Sequence, residues 1–237
     1  MFSKLMRGKT RKIFLLSAML FYVFGVSLAA VSLFSYRSSM LEERKRITSE
    51  QVKTVFSILN SYYDKSKKNV LSEKDAKKYV IETLRHIRYD DNTSYFWITD
   101  VKATLLLHPL NTEMEGKNLI NFKDASGQYL GREFIKIYKN KGEGFIFYEW
   151  NIKPGEEKSA GKATAAMGQI SGKSYSKVGY VKGFMPWGWI IGSGIYIDDI
   201  NTAFWRAALV VGGLSCVVAF YLIALFATAA EQEKWGR

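Results

Sequence analysis

Two long uncharged apolar blocks constrain this chain more than any motif in it. From Ile13 to Phe34 the sequence runs 22 residues without a charge, and Ala207 to Ala230 forms a second such block. At a rise of about 1.5 Å per residue, a helix of either length covers a hydrocarbon layer roughly 30 Å thick. Lys4, Arg7, Lys9, Arg11 and Lys12 precede the first block with no acid among them, which by the positive-inside rule holds the N-terminus in the cytoplasm. The competing reading is a cleaved leader with Ser27 and Ala29 before the cut, but leader cores span only roughly 7–15 residues. The expected layout is a basic N-terminus over 1–12, a transmembrane helix over 13–35, an extracytoplasmic block over 36–202, a second transmembrane helix over 207–230 and a cytoplasmic stub over 231–237. In a bacterium that is a two-pass protein of the inner membrane, with its middle in the periplasm or outside the cell.

Ala208, Gly212 and Cys216 fall four apart in the second block, either a stripe for close helix approach or chance spacing in an Ala-rich helix. Cys216 is alone in the chain and no disulfide partner exists; with only His86 and His108 besides, a structural zinc cluster is excluded. Of the net charge of +12, the N-terminal flank and Arg206 carry half, leaving the middle block modestly positive. Such a field favours small anions. The densest basic cluster adjoins a membrane helix, so nucleic acid is not an expected partner.

The middle block reads as helices followed by sheet. Leu41, Ile47, Val52, Val55, Phe56, Leu59 and Tyr63 recur mostly three or four apart with no Pro or Gly between Met40 and Tyr63, a long amphipathic helix. Ser72-Glu-Lys-Asp starts a second, with Val80, Leu84 and Ile87 on its buried face and His86 partly buried beside it. From Asn92 onward short β-rich runs follow: Tyr95 to Thr99, Thr104 to His108, Gly144 to Trp150, Val178 to Phe184 and Trp189 to Ile197. The fold class is α+β, with an antiparallel sheet of about five strands. Asp100-Val-Lys-Ala and Met185-Pro-Trp-Gly turn hairpins, and Asp124-Ala-Ser-Gly caps a helix from about Tyr129 to Lys139. Gly192 and Gly194 alternate on the last strand and leave room for another group against the backbone. Pro154 to Ser174 reads as a Gly-rich loop. Its Gly172-Lys173-Ser174 imitates a phosphate loop, but the glycine required five positions earlier is Met167, so no nucleotide is expected.

Tyr95-Phe-Trp-Ile-Thr-Asp, His108-Pro, Glu115-Gly-Lys-Asn-Leu, Gly144-Phe-Ile-Phe-Tyr-Glu-Trp, Tyr180-Val-Lys and Pro186-Trp-Gly-Trp-Ile-Ile-Gly-Ser-Gly-Ile-Tyr-Ile-Asp-Asp-Ile occur in that order. Together they resemble the single-Cache domain of bacterial chemoreceptors and sensor kinases, over about Met40 to Asn201. The resemblance implies a PAS-like extracytoplasmic fold with a long N-terminal helix behind a sheet, a small organic ligand such as a short carboxylate, and homodimerisation through the long helix. Such receptors continue into a methyl-accepting, kinase or cyclase module. Here only Glu-Gln-Glu-Lys-Trp-Gly-Arg follows Ala230, so the output module is expected in a longer receptor or a separate partner.

A carboxylate pocket needs a cation or several donors for the oxygens and an apolar wall around the rest. Alternation sets Tyr95, Trp97 and Thr99 on one face, Thr104, Leu106 and His108 on one face of the next strand, and Val178, Tyr180, Lys182 and Phe184 on one face of a later one. Lys182 amid apolar neighbours is the expected cation, the alternative being a lysine on a solvated face. His108 at a strand end donates to a ligand oxygen or caps its loop. Tyr129 and Arg132 close over the pocket and Tyr148 adds a hydroxyl, against the alternatives of a surface salt bridge and core packing. Asp198 and Asp199, where sheet passes to membrane helix, read as coupling or capping residues. Without a nucleophile or acid–base partner beside them no enzyme is expected, and no cofactor. The function expected is a membrane-anchored sensor of a small ligand; the alternative is an adaptor whose domain binds a protein.

Overall fold

In a computed structural model, residues 2–150 and 174–235 of the chain are described, and they form two compact units, Leu41–Asp199 and Met1–Met40 with Ile200–Arg237. The loop expected over Pro154 to Ser174 lies almost wholly outside the described residues.

Helix α1 (Phe2–Lys67) carries the uninterrupted amphipathic run, and Lys65 and Lys67 in its last turn suit the negative end of the helix dipole. Helix α2 (Glu73–His86) starts where expected, because the Ser72 hydroxyl accepts the Asp75 backbone N–H at 3.0 Å and Glu73 and Asp75 fill the first turn. Ala76, Val80 and Leu84, spaced by four, form its buried stripe. His86, expected to be partly buried, is exposed: it lies two residues beyond Leu84, on another side of the helix.

The sheet has six strands where about five were expected. They are β1 (Arg88–Tyr89), β2 (Ser94–Asp100), β3 (Leu105–Leu107), β4 (Glu143–Trp150), β5 (Tyr175–Phe184) and β6 (Trp189–Tyr196), with helix α3 (Leu130–Lys141) between β3 and β4. All pairings are antiparallel, in the order β1-β2-β6-β5-β4, with β3 also on β2. The extra strand is the two-residue β1, too short to leave a periodic signal. Asp100 turns the first hairpin by accepting the backbone N–H groups of Lys102 and Thr104, and Gly188 at φ +61° closes the last. Asp124 does not cap α3. Its carboxylate accepts from Ser126, from the Gln128 N–H and from the Glu149 N–H, pinning its own loop to β4, while α3 begins only at Leu130 without a side-chain cap.

Strand alternation divides the core between the faces. Phe96, Ile98, Tyr180, Phe184 and Ile191 pack with Val52, Val55 and Leu59 of α1 and Val80 and Leu84 of α2. Tyr95, Trp97, Tyr148, Trp150 and Val181 face Leu130 and Phe134 of α3 and Leu119 of the preceding connection. A bulge breaks the alternation in β3: Ile98 pairs with Leu107 but Thr99 with Leu105, so Leu106 is an extra residue. Thr104, Leu106 and His108 therefore do not share a face; Leu105 and His108 do. At the end of the sheet, Asp198 accepts the Ser176 N–H, and Arg44 of α1 donates to Asp90 at 3.0 Å and to Asp199 at 2.8 Å.

The other unit contains the start of α1 and most of helix α4 (Asp198–Trp235). Both helices are long and apolar enough to cross a membrane, and Phe21, Leu209 and Phe220 are largely exposed. Tyr22 donates to the Ser215 carbonyl at 2.6 Å and Arg37 to Asn201 at 2.9 Å. A Cβ at Gly212 would meet nothing within 4 Å and Cys216 is exposed, so the small-residue stripe makes no close helix contact here.

Candidate functional site

A cavity of about 20 Å³ lies on the α3 face of the sheet. Tyr95 and Trp97 of β2, Leu105, His108, Leu119, Leu130 and Phe134 of α3, and Tyr148 and Trp150 of β4 line it. Two rings make its floor. Tyr148 reaches from β4 across Gly179 of β5 to Gly194 of β6, whose Cβ, if present, would stand 2.7 Å from the Tyr148 hydroxyl. Trp97 comes from the opposite side over Gly192 and stacks on Phe134, with centroids 4.4 Å apart. The room expected at Gly192 and Gly194 is thus taken by these two side chains.

His108 supplies the polar wall. Its Nε2 stands 3.5 Å from the Tyr95 hydroxyl and its ring stacks on Trp150 at 5.1 Å. Burial, aided by the Lys177 ammonium, pushes its pKa down to about 3, so the imidazole is neutral and keeps one N–H to donate. Among the described residues, His108 Nδ1 and Trp150 Nε1 are buried without a hydrogen-bond partner. The loop is held from behind: the His108 backbone N–H donates to Glu115 at 2.9 Å, and Arg85 grips that carboxylate through both its Nη atoms at 2.8 and 3.0 Å. Burial also raises the Tyr95 and Tyr148 hydroxyls above their ordinary range, so both remain protonated donors.

The cavity brings together three of the expected residues, Trp97, His108 and Tyr148. Tyr180 and Lys182 are on the other face. Lys182 pairs with Glu143 and lies 5.3 Å from the Phe56 ring of α1, and its hydrogen bond holds the Glu143 carboxyl below the usual range. Tyr129 and Arg132 do not close over the cavity. Arg132 is exposed, bonded to the Ile120 carbonyl and Asn121 Oδ1, with its guanidinium 3.9 Å from the Tyr129 ring.

A buried cation on the cavity side is Lys177, 1% exposed, directly opposite Tyr148 in the ladder and 4.5 Å from the Tyr95 ring. Its phase matches Gly179, Val181 and Gly183, and those two glycines are the sequence signal that this face of β5 accommodates large groups from elsewhere. Among the described residues no group of three or more His, Cys, Asp or Glu is placed to hold a metal.

The neutral buried histidine has a measurable consequence. From about pH 6.5 down to about pH 3 the unfolded chain takes up a proton at His108 that the folded chain refuses, so stability falls as pH drops through that window. The slope approaches about 1.4 kcal/mol per pH unit for one proton. Thermal melts from about pH 7 to about pH 5 are expected to decline less steeply in His108→Gln than in the unmodified chain; equal slopes would show that His108 protonates in the fold.

The family model described as a Cache domain matches residues 26–209. The methyl-accepting chemotaxis protein McpP of Pseudomonas putida is 27% identical over 210 residues, 87% of this chain and 36% of its own length. The sensor histidine kinase MctS of Rhizobium johnstonii is 25% identical over 176 residues, 74% of this chain and 34% of its own. The chain thus spans about a third of the length of these curated relatives. Among solved structures, a Cache chemosensory domain described for carboxylic acid recognition aligns with a TM-score of 0.57 and 28% identity, over 68% of this chain and 97% of that one. A methyl-accepting chemotaxis protein from Vibrio parahaemolyticus aligns with a TM-score of 0.57 and 26% identity, over 71% and 99%.

Proposed function

Because the chain belongs to the Cache domain family, we propose that it is a membrane-anchored, non-enzymatic sensor of a small organic acid. The observation that carries this reading is the aromatic cavity in which neutral His108 and Trp150 retain unpaired donors beside the buried cation Lys177. A carboxylate needs donors for its oxygens and an apolar wall for its carbon. At about 20 Å³, little more than the room for one water, the cavity favours the shortest acids over amino acids with large side chains.

In this reading helices over 13–35 and 207–230 cross a bacterial inner membrane and 36–202 face the periplasm or exterior. Ligand binding shifts the equilibrium between two states of the domain, and the end of β6 passes the change to α4. Homodimerisation through α1 belongs to the proposal, as does a cytoplasmic signalling module, in the same longer protein or in a partner. The small volume also supports a second reading, an adaptor whose domain binds a protein.

The test is calorimetry on the full chain in lipid nanodiscs with acetate, propionate, lactate, pyruvate, amino acids and amines, preceded by a thermal-shift screen. A ligand at about 100 times its Kd raises stability by roughly 2.7 kcal/mol. Saturable one-to-one binding of a short acid supports the sensor; a well-folded protein indifferent to every compound overturns it in favour of the adaptor.

A further inference from the structure

The floor of the cavity explains more than its shape. Tyr148 lies flat on the sheet because the two residues beneath it, Gly179 and Gly194, are paired neighbours without side chains. A Cβ at Gly179 would stand 2.9 Å from Tyr148 Cε1, and one at Gly194 would stand 2.7 Å from its hydroxyl. Both are shorter than real contacts of this kind, so a methyl group at either position displaces the ring. The ring is not free to slide. Trp97 meets it from the opposite side and is stacked against Phe134, and the backbone under Gly194 belongs to the central ladder of β5 and β6. The remaining direction is upward, into the cavity.

A space needs roughly 10–15 Å³ to hold one water. With only about 20 Å³ available, a displacement of the Tyr148 hydroxyl by even an ångström removes a large share of the room. We propose that Gly194, supported by Gly179, is the residue that sets the ligand's chain length: by carrying no side chain it lets the Tyr148 hydroxyl lie against β6 and leaves room for one further carbon. This inference rests on the reading of the cavity as an organic-acid site, and it concerns size selection within that class. Gly194 touches no ligand; it acts through Tyr148 and is a positioning residue.

The experiment is calorimetry on the full chain in nanodiscs with acetate, propionate and butyrate, whose only difference is length. In Gly194→Ala, propionate affinity is expected to fall at least ten-fold while acetate stays within about three-fold of the unmodified chain. Gly194→Ala combined with Tyr148→Phe removes the atom that the new methyl meets, and the ratio of propionate to acetate affinity is expected to return to within about three-fold of that in the unmodified chain. Gly183→Ala is the control for a general disturbance of the sheet. Its Cβ meets the Tyr138 ring at 2.3 Å, away from the cavity, and it should lower the melting midpoint without altering the order of the three acids. Should Gly194→Ala alone not fold, the Tyr148→Phe variant carries the test from the other side: butyrate should gain about ten-fold relative to propionate, and an unchanged ratio overturns the proposal. Failure of the unmodified chain to bind any of the acids overturns the functional reading and this inference with it. Acid binding whose length profile is the same in Gly194→Ala overturns this inference alone.

Discussion

In the Lys177→Met variant, affinity for a short carboxylate is expected to fall by about 30-fold or more, whereas Lys182→Met leaves it within about two-fold. The two lysines stand on one strand five residues apart, and the odd spacing puts them on opposite faces. Lys177 is opposite Tyr148, a cavity residue, and its ammonium is 4.5 Å from the Tyr95 ring; its charge also helps keep His108 neutral. Lys182 is on the α1 side, paired with Glu143. Truncating one partner of a buried charge pair costs about 2–5 kcal/mol of binding, and about 1.4 kcal/mol is a factor of ten, hence the 30-fold floor. Methionine keeps the length and apolar body of the side chain, so loss of binding is read as loss of charge. Calorimetry on both variants decides the matter. Equal effects from the two substitutions would remove Lys177 from the site.

Gly192→Val is expected to be among the most damaging substitutions to stability. A Cβ there would stand 2.0 Å from Trp97 Cζ2, and Trp97 is 5% exposed and held by its stack on Phe134. Overpacking of this kind costs about 3 kcal/mol. For a domain of this size that lowers the melting midpoint by roughly 6–12 °C. Gly212→Ala is the contrast, since a Cβ at Gly212 meets nothing within 4 Å, and its midpoint should stay near that of the unmodified chain. A midpoint in Gly192→Val equal to that of Gly212→Ala would mean that Trp97 does not occupy the floor.

Local rules made much of the fold legible. Ser72 is a cap because a hydroxyl ahead of two acids has one effective use, and Asp100 and Gly188 turn hairpins by chemistry confined to a few residues. Alternation likewise sorted Tyr95 with Trp97. It could not say which face of β5 meets which helix, because Lys182 amid Val178, Tyr180 and Phe184 suits a core against α1 as well as a pocket against α3. The choice depends on long-range pairing, and that is how Lys182 and Tyr180 entered the expected site while Lys177 did not. Asp124 misled for a similar reason: its partner Glu149 is 25 residues away. Tyr129 and Arg132 carry the residue types of a lid, but the Ile120 carbonyl and Asn121 take the guanidinium instead.

The extra residue at Leu106 means that this stretch can shorten by one position without losing its histidine. Leu105 and His108 face the cavity together although three steps of chain separate them, because the bulge absorbs one of the three. An in-frame loss of a single codon there would leave two steps, the even number of a regular strand, and would keep the imidazole on the cavity face with the bulge gone.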